Sequence, residues 1–236
     1  MIIVLFQGFC IGINKPKTYE CDIRSRAELT HKRKGGVSDL TLQEFHHYCL
    51  NTTQEIINGF GWGNISVGSL SEEDKDRLAA GIEESKLNWA WGMEHYRGTA
   101  NNDGILDVSL KIIDHDDPGS LHAVIICKYN ARREEFAICM LENLIAAEET
   151  PLTGKVFTIA LVYATTFCAM LGLEEVYIDD PIQDAQARYR SYGFAFVFDA
   201  YNKMSSTVVD IQDKIRRKVA GIGFDDDVAV IQPLFE

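Results

Sequence analysis

Residues 156–173, VFTIALVYATTFCAMLGL, run for 18 positions without a charge. A segment so apolar has two homes, a bilayer or the middle of a protein. A spanning helix needs about 20 predominantly apolar residues. This run holds three Thr and is bounded by Gly154 and Gly172, which punctuate it as glycines do at helix ends. The reading adopted is a helix over 153–171 covered on all sides by protein. The remaining chain must supply the layers that wrap it, and 236 residues at 46% hydrophobic content suffice.

The formal net charge of -12 argues against a duplex nucleic-acid binder, which needs clustered Lys and Arg to release counterions. No DNA partner is expected. The six Cys are scattered, with no C-x-x-C pair, as in a protein of free thiols in a reducing compartment, so a cytoplasmic location is expected. The opening MIIVLFQGFCIGI has the apolarity of a secretion signal but neither a basic start nor an A-x-A cleavage site.

Three stretches organise the chain. Residues 1–37 read as an irregular arm in which Lys15, Lys17, Arg24, Arg26, Lys32, Arg33 and Lys34 outnumber the acids, ending at Gly35-Gly36. It reads as a solvated arm, with partner or RNA contact as the alternative. Residues 38–200 read as the folded domain, and 201–236 as a helix and tail packed upon it. Within the domain the periodicity predicts helices over 40–57 and from Ser71 to about Glu84. Strands follow over 105–113, 121–128 and 136–145, separated by turn signals and forming an antiparallel meander. Then come the apolar helix, a strand at 174–178, a short helix at 183–191, a strand at 193–198 and an amphipathic helix at 206–219. This order implies an α/β (α+β) fold, a mixed, mainly antiparallel sheet flanked by helices.

Where the third strand hands over to the apolar helix, Glu148-Glu-Thr-Pro-Leu-Thr-Gly-Lys155 offers Thr153 as a cap, Gly154 for close backbone approach and Lys155 as a charge. A helix start carries unpaired N–H groups and a positive dipole end, which suit phosphate. A nucleotide P-loop is excluded, since Glu149 and Val156 stand where Gly and Ser or Thr are required.

The stretch Glu-Glu-Val-Tyr-Ile-Asp-Asp-Pro at 174–181, with Ala185-Gln-Ala-Arg-Tyr189-Arg-Ser-Tyr-Gly193-Phe194 after it, resembles the C-terminal half of the GNAT superfamily of N-acetyltransferases. That family has a pattern like A-x-x-x-[FL]-Y-x-x-x-G-F there. GKVFTIALVYATTFCAMLGL at 154–173 is similar to its long cofactor helix, and the resemblance spans 105–198. Three features depart from it. The phosphate loop [RQ]-x-x-G-x-[GA] is reduced to Pro151-Leu-Thr-Gly-Lys-Val156, the Asn often found before the second helix is replaced by the Pro181-Ile-Gln region, and Arg188 stands where an apolar residue is usual.

The resemblance implies an acyl-CoA-dependent N-acyltransferase, with acetyl-CoA or another acyl-CoA as donor and a small-molecule or protein amine as acceptor. It implies that the cofactor phosphates meet Leu152, Thr153, Gly154, Lys155 and Val156, and that its pantetheine arm meets the backbone of Asn143, Leu144 and Ile145. Tyr189 would protonate the departing thiolate. For the amine proton, Glu142 is the first candidate base, because a carboxylate inside the apolar AICMLENLI strand is costly unless paired or useful. His122 on the neighbouring strand is the second. No metal is expected, since His46, His47 and Cys49 lack completing partners. The alternatives are a GNAT-fold binding or regulatory protein without catalysis, or a phage or mobile-element interaction factor. Self-association stays open.

Overall fold

The computed structural model describes residues 42–82, 85–96, 104–117, 119–145, 152–198, 200 and 202–221. The basic arm, the Ser38-Asp39 cap, the turn at 101–103 and the tail from 222 lie outside them. The first helix, α1 (Leu42–Gly59), is followed by β1 (Ile65–Ser69), α2 (Glu72–Ala80) and α3 (Trp89–His95). The meander is β2 (Ile105–Asp114), β3 (Ala123–Asn130) and β4 (Glu135–Asn143). The apolar run forms α4 (Val156–Leu171), followed by β5 (Glu175–Asp179), a 3-10 turn (Gln183–Ala185), α5 (Gln186–Arg190), β6 (Ala195–Phe196), β7 (Lys203–Thr207) and α6 (Val208–Val219).

The seven strands form one sheet in the order β1-β2-β3-β4-β5-β7-β6. All pairs are antiparallel except β4 with β5. A mixed, mainly antiparallel sheet flanked by helices is thus what the chain forms. β7 enters the sheet between β5 and β6, so residues 203–207 belong to the sheet itself. Met204 and Ser206 are buried and Lys203, Ser205 and Thr207 are not, so this polar stretch alternates as a strand should.

One face of the sheet carries α1, α4 and α6. Every side chain of α4 from Val156 to Cys168 is buried, which is why the run needs no charge. Phe167 stands at the centre, with its ring 4.9 Å from Phe45 and 4.4 Å from Phe136. The helix stops at Gly172 in the left-handed conformation (φ 70), which a residue without Cβ adopts at no steric cost. The other face carries α2 and α3 over a smaller cluster of Leu70, Leu78, Trp89, Leu121, Val124, Ile126 and Met140. A capping box starts α2: Ser71 accepts from the Asp74 N–H, and the Asp74 side chain accepts from the Ser71 N–H.

Candidate active site

The parallel ladder between β4 and β5 is short: Phe136 faces Val176, Ala137 faces Tyr177 and Ile138 faces Ile178. Past that point the register against β3 slips from Cys127 opposite Ile138 to Ile126 opposite Met140, leaving Cys139 as the extra residue of a bulge. A bulge bends and twists its strand. From Cys139 on, β4 continues to Asn143 with β3 as its partner, and β5 ends at Asp179. The two strands part, and among the described residues no strand lies beside the β5-facing edge of 139–143. Such an edge can hydrogen-bond the amides of an extended ligand.

At the opening stands the start of α4. Its N-cap position is Lys155, which makes no side-chain cap bond, two residues beyond the Thr153 expected there. The turn before it closes with the Lys155 N–H donating to the Leu152 carbonyl at 2.9 Å, with Gly154 at φ 76. The first intrahelical bond runs from the Ile159 N–H to the Lys155 carbonyl at 2.9 Å. The N–H groups of 156–158 precede it and have no acceptor within the helix. Arg188, the residue that departs from the family pattern, reaches back from α5 and donates to the Gly154 carbonyl at 2.9 Å. The Lys155 ammonium lies 5.2 Å from the Trp62 ring. Lys155 and Arg188 thus bring two cationic residues to the start of α4, an arrangement suited to phosphate oxygens.

Tyr189 is half-buried, with its ring 5.3 Å from Phe157 in the first turn of α4. Burial pushes its phenol above the ordinary value, while Arg188 and the Ile182 N–H, which donates to the phenol oxygen, pull the other way. The phenol is protonated at neutral pH and has a proton to give. The next aromatic, Tyr192, is fully buried and bonded to Thr158 at 2.6 Å and Lys218 at 2.8 Å, which fixes α5 and α6 against α4.

Glu142 does not face this mouth side. The bulge turns Met140 and Glu142 to the α2–α3 face, and the carboxylate is buried there among donors of one segment. It accepts from the Lys86 N–H at 2.6 Å, Ser85 Oγ at 2.6 Å, Trp89 Nε1 at 2.7 Å and the Leu87 N–H at 3.4 Å. Its burial, which suggested a base, is accounted for by four bonds that fasten 85–89 to β4. His122 is buried too: Nδ1 accepts the Asp114 N–H at 3.1 Å and Nε2 lies 3.6 Å from Asp117, pinning the β2–β3 turn. Two of the N–H groups assigned to the pantetheine arm are engaged within the chain. That of Leu144 meets the His122 carbonyl at 2.8 Å, and that of Ile145 meets Asn143 Oδ1 at 3.3 Å.

The residue at the bulge itself, Cys139, reads from its apolar surroundings in the sequence as an inert thiol. The Cys139 thiol lies 3.8 Å from the Ala137 carbonyl oxygen and 3.9 Å from Asp179 Oδ2, which pairs with Lys128 at 3.2 Å. Burial and the neighbouring Asp179 push the Cys139 thiol up to about 12, so it is no nucleophile. Among the described residues no group of His, Cys, Asp and Glu is placed to hold a metal, and no helix is long and apolar enough to cross a membrane.

No protein-family model and no curated protein matches the sequence. Among solved structures, the chain is similar to an uncharacterized protein (bh2621) from Bacillus halodurans, with TM-score 0.50 and 10% identity over 67% of this chain and 92% of that one. It is also similar to FdhC, a nucleotide-linked sugar GNAT, with TM-score 0.46 and 12% identity over 68% of this chain and 96% of that one. A third is a Tyr-to-Phe mutant of the toxin AtaT bound to the C-terminus of the antitoxin AtaR and acetyl-CoA, with TM-score 0.44 and 12% identity over 63% and 96%. The likeness is one of fold.

Proposed function

We propose that the chain transfers an acyl group from acyl-CoA, in the first instance acetyl-CoA, to a primary amine by direct attack on the thioester. The observation that carries this reading is the parting of β4 from β5 at the Cys139 bulge, beside the start of α4 with the Tyr189 ring packed on its first turn. The residues present fit such a donor. The free strand edge suits the amides of a pantetheine arm, and the α4 start with Lys155 and Arg188 suits its phosphates. Acyl-CoA supplies an electrophilic carbonyl carbon and a thiolate leaving group. Tyr189 gives its proton to that sulfur. Glu142, with four donors on its carboxylate, fits a positioning role better than proton transfer. An amine that enters uncharged needs no strong base.

The test is transfer of a labelled acetyl group from acetyl-CoA to a panel of primary amines, read by mass. Turnover on at least one amine supports the reading. Binding of acetyl-CoA with no transfer to any amine would leave a binding protein of the same fold, and no binding would remove the donor altogether.

A further inference from the structure

We infer that Lys128 and Asp179 are positioning residues of the acyl site: their ion pair, carried on through Lys203 to Glu135, fixes how far β4 and β5 part. The inference rests on the acyltransfer reading above. Its ground is what takes over where the parallel ladder stops. The last pair is Ile138 with Ile178, and among the described residues the two strands pair no further. The next residue on β4 is Cys139, at the bulge, and the next on β5 is Asp179, its last.

Four charged side chains meet at that level. Lys128, Glu135, Asp179 and Lys203 lie on the face opposite α4, since their neighbours Cys127, Phe136, Ile178 and Met204 belong to the cluster under that helix. Lys128 starts two strands away from β5: it pairs with Ala137, which pairs with Tyr177. Its ammonium still lies 3.2 Å from Asp179 Oδ2, so the side chain crosses β4 to reach the end of β5. The Cys139 thiol lies 3.9 Å from the same oxygen. Asp179 Oδ1 lies 3.3 Å from Lys203, its register partner on β7. The Lys203 ammonium stands 5.2 Å from the centre of the Tyr177 ring and hydrogen-bonds Glu135, the first residue of β4. These side chains are 17–31% exposed, so salt and solvent screen them less than pairs standing free in water.

The end of β5 is thus fixed differently on its two sides. Towards β7 the backbone holds it, with the Asp180 N–H donating to the Asn202 carbonyl at 3.0 Å and Asn202 Nδ2 donating to Asp180 Oδ1 at 2.7 Å. Towards β4 charge holds it, through Lys128 from β3 and through Lys203 to Glu135. The chain leaves Asp179 directly for the 3-10 turn and α5, so the placing of Asp179 carries Tyr189 with it. An arm lying in the parting needs the free edge of β4 and the phenol at one fixed separation. A displacement of about 1 Å can cost about 100-fold in rate. The phosphate end, at Lys155 and Arg188, does not depend on this strap. Its loss should therefore appear in kcat more than in the KM for acetyl-CoA.

The test compares wild type, Lys128→Met, Lys128→Arg and Asp179→Asn of the full chain, with acetyl-CoA and an amine that wild type acetylates. Lys128→Met should lower kcat about tenfold with the KM for acetyl-CoA within about threefold, and Lys128→Arg should restore most of the rate by keeping the charge. Asp179→Asn, which leaves two ammonium groups without their shared partner, should lower kcat further. Amide hydrogen exchange read by mass should quicken over 175–180 in Lys128→Met and stay unchanged over α4. Melting temperatures should stay near wild type. Unchanged kcat in Lys128→Met and Asp179→Asn, with wild type active, overturns the inference and leaves the acyltransfer reading intact. So does a lowered melting temperature with kcat per folded molecule unchanged, which would make the strap structural alone. Unchanged exchange over 175–180 overturns it as well. Wild type that turns over no amine overturns the acyltransfer reading, and this inference with it.

Discussion

Under α4 the sheet is held by rings, Phe167 lying 4.9 Å from Phe45, 4.4 Å from Phe136 and 6.2 Å from Tyr163, while under α3 a smaller apolar cluster is joined by one buried carboxylate with four donors. The first kind of contact is non-directional. Each buried large side chain contributes roughly 1.5–3 kcal/mol, and its neighbours adjust if it changes. The second kind is directional and fails abruptly, because an orphaned buried donor costs about 1–3 kcal/mol. The α4 face therefore sets whether the chain folds. The α3 face sets where a few polar groups stand once it has folded.

That contrast is open to direct attack. The largest effect is expected from Phe167→Ala, which empties the centre of the α4 face and should cost about 3–5 kcal/mol in denaturant unfolding. Acetyl-CoA affinity of the fraction still folded should hardly change. A loss under about 1 kcal/mol would mean that the α4 face is not the main store of stability.

Next comes Tyr189→Phe. It should lower kcat about 100-fold while leaving the melting temperature and the KM for acetyl-CoA near wild type, since only a proton donor is removed. Unchanged turnover would take Tyr189 out of the chemistry and leave it as packing for Phe157.

A smaller effect concerns the polar device within the apolar face. His46 bonds Tyr163 Oη at 2.8 Å and Ser69 Oγ at 2.9 Å, and burial, aided by His47, lowers its pKa from 6.5 to about 4. The unfolded chain binds this proton first as pH falls. The stability held by neutral His46 is thus complete above about pH 6.5 and is lost progressively down to about pH 4, by about 2–3 kcal/mol at most. His46→Gln should flatten the melting-temperature profile over that window. An identical slope in both proteins would assign the acid sensitivity elsewhere.

Much of the frame was legible in the sequence because its signals were local and redundant. The uncharged run, bounded by glycines, had to be a buried helix, and the three alternating stretches joined by turns had to be a meander. The elements missed are those whose signal is not local. The β7 stretch KMSST is polar and becomes a strand because β5 and β6 flank it. WAWGMEH carries a central Gly and is a helix because Asn88 and Glu142 hold its start.

The site divided along the same line. Tyr189 is proposed from its spacing to Gly193. The job of Glu142 was not legible, because a strict period of two places it on the face of Phe136 and Ile138, and only the bulge at Cys139 moves it to the other. A charged residue out of phase in an apolar strand was the available sign of that bulge. Arg188, which broke the family pattern, proved to reach the loop where the family's phosphate residues are missing.

The central claim is that the parted strands and the α4 start receive an acyl-CoA, and calorimetric titration of the full chain with acetyl-CoA tests it most directly. The account predicts saturable binding at one molecule per chain, weakened about tenfold in Arg188→Ala, the loss of one charge-assisted contact of about 1.5 kcal/mol. No saturable binding at millimolar acetyl-CoA, or an Arg188→Ala titration that overlays wild type, would contradict it.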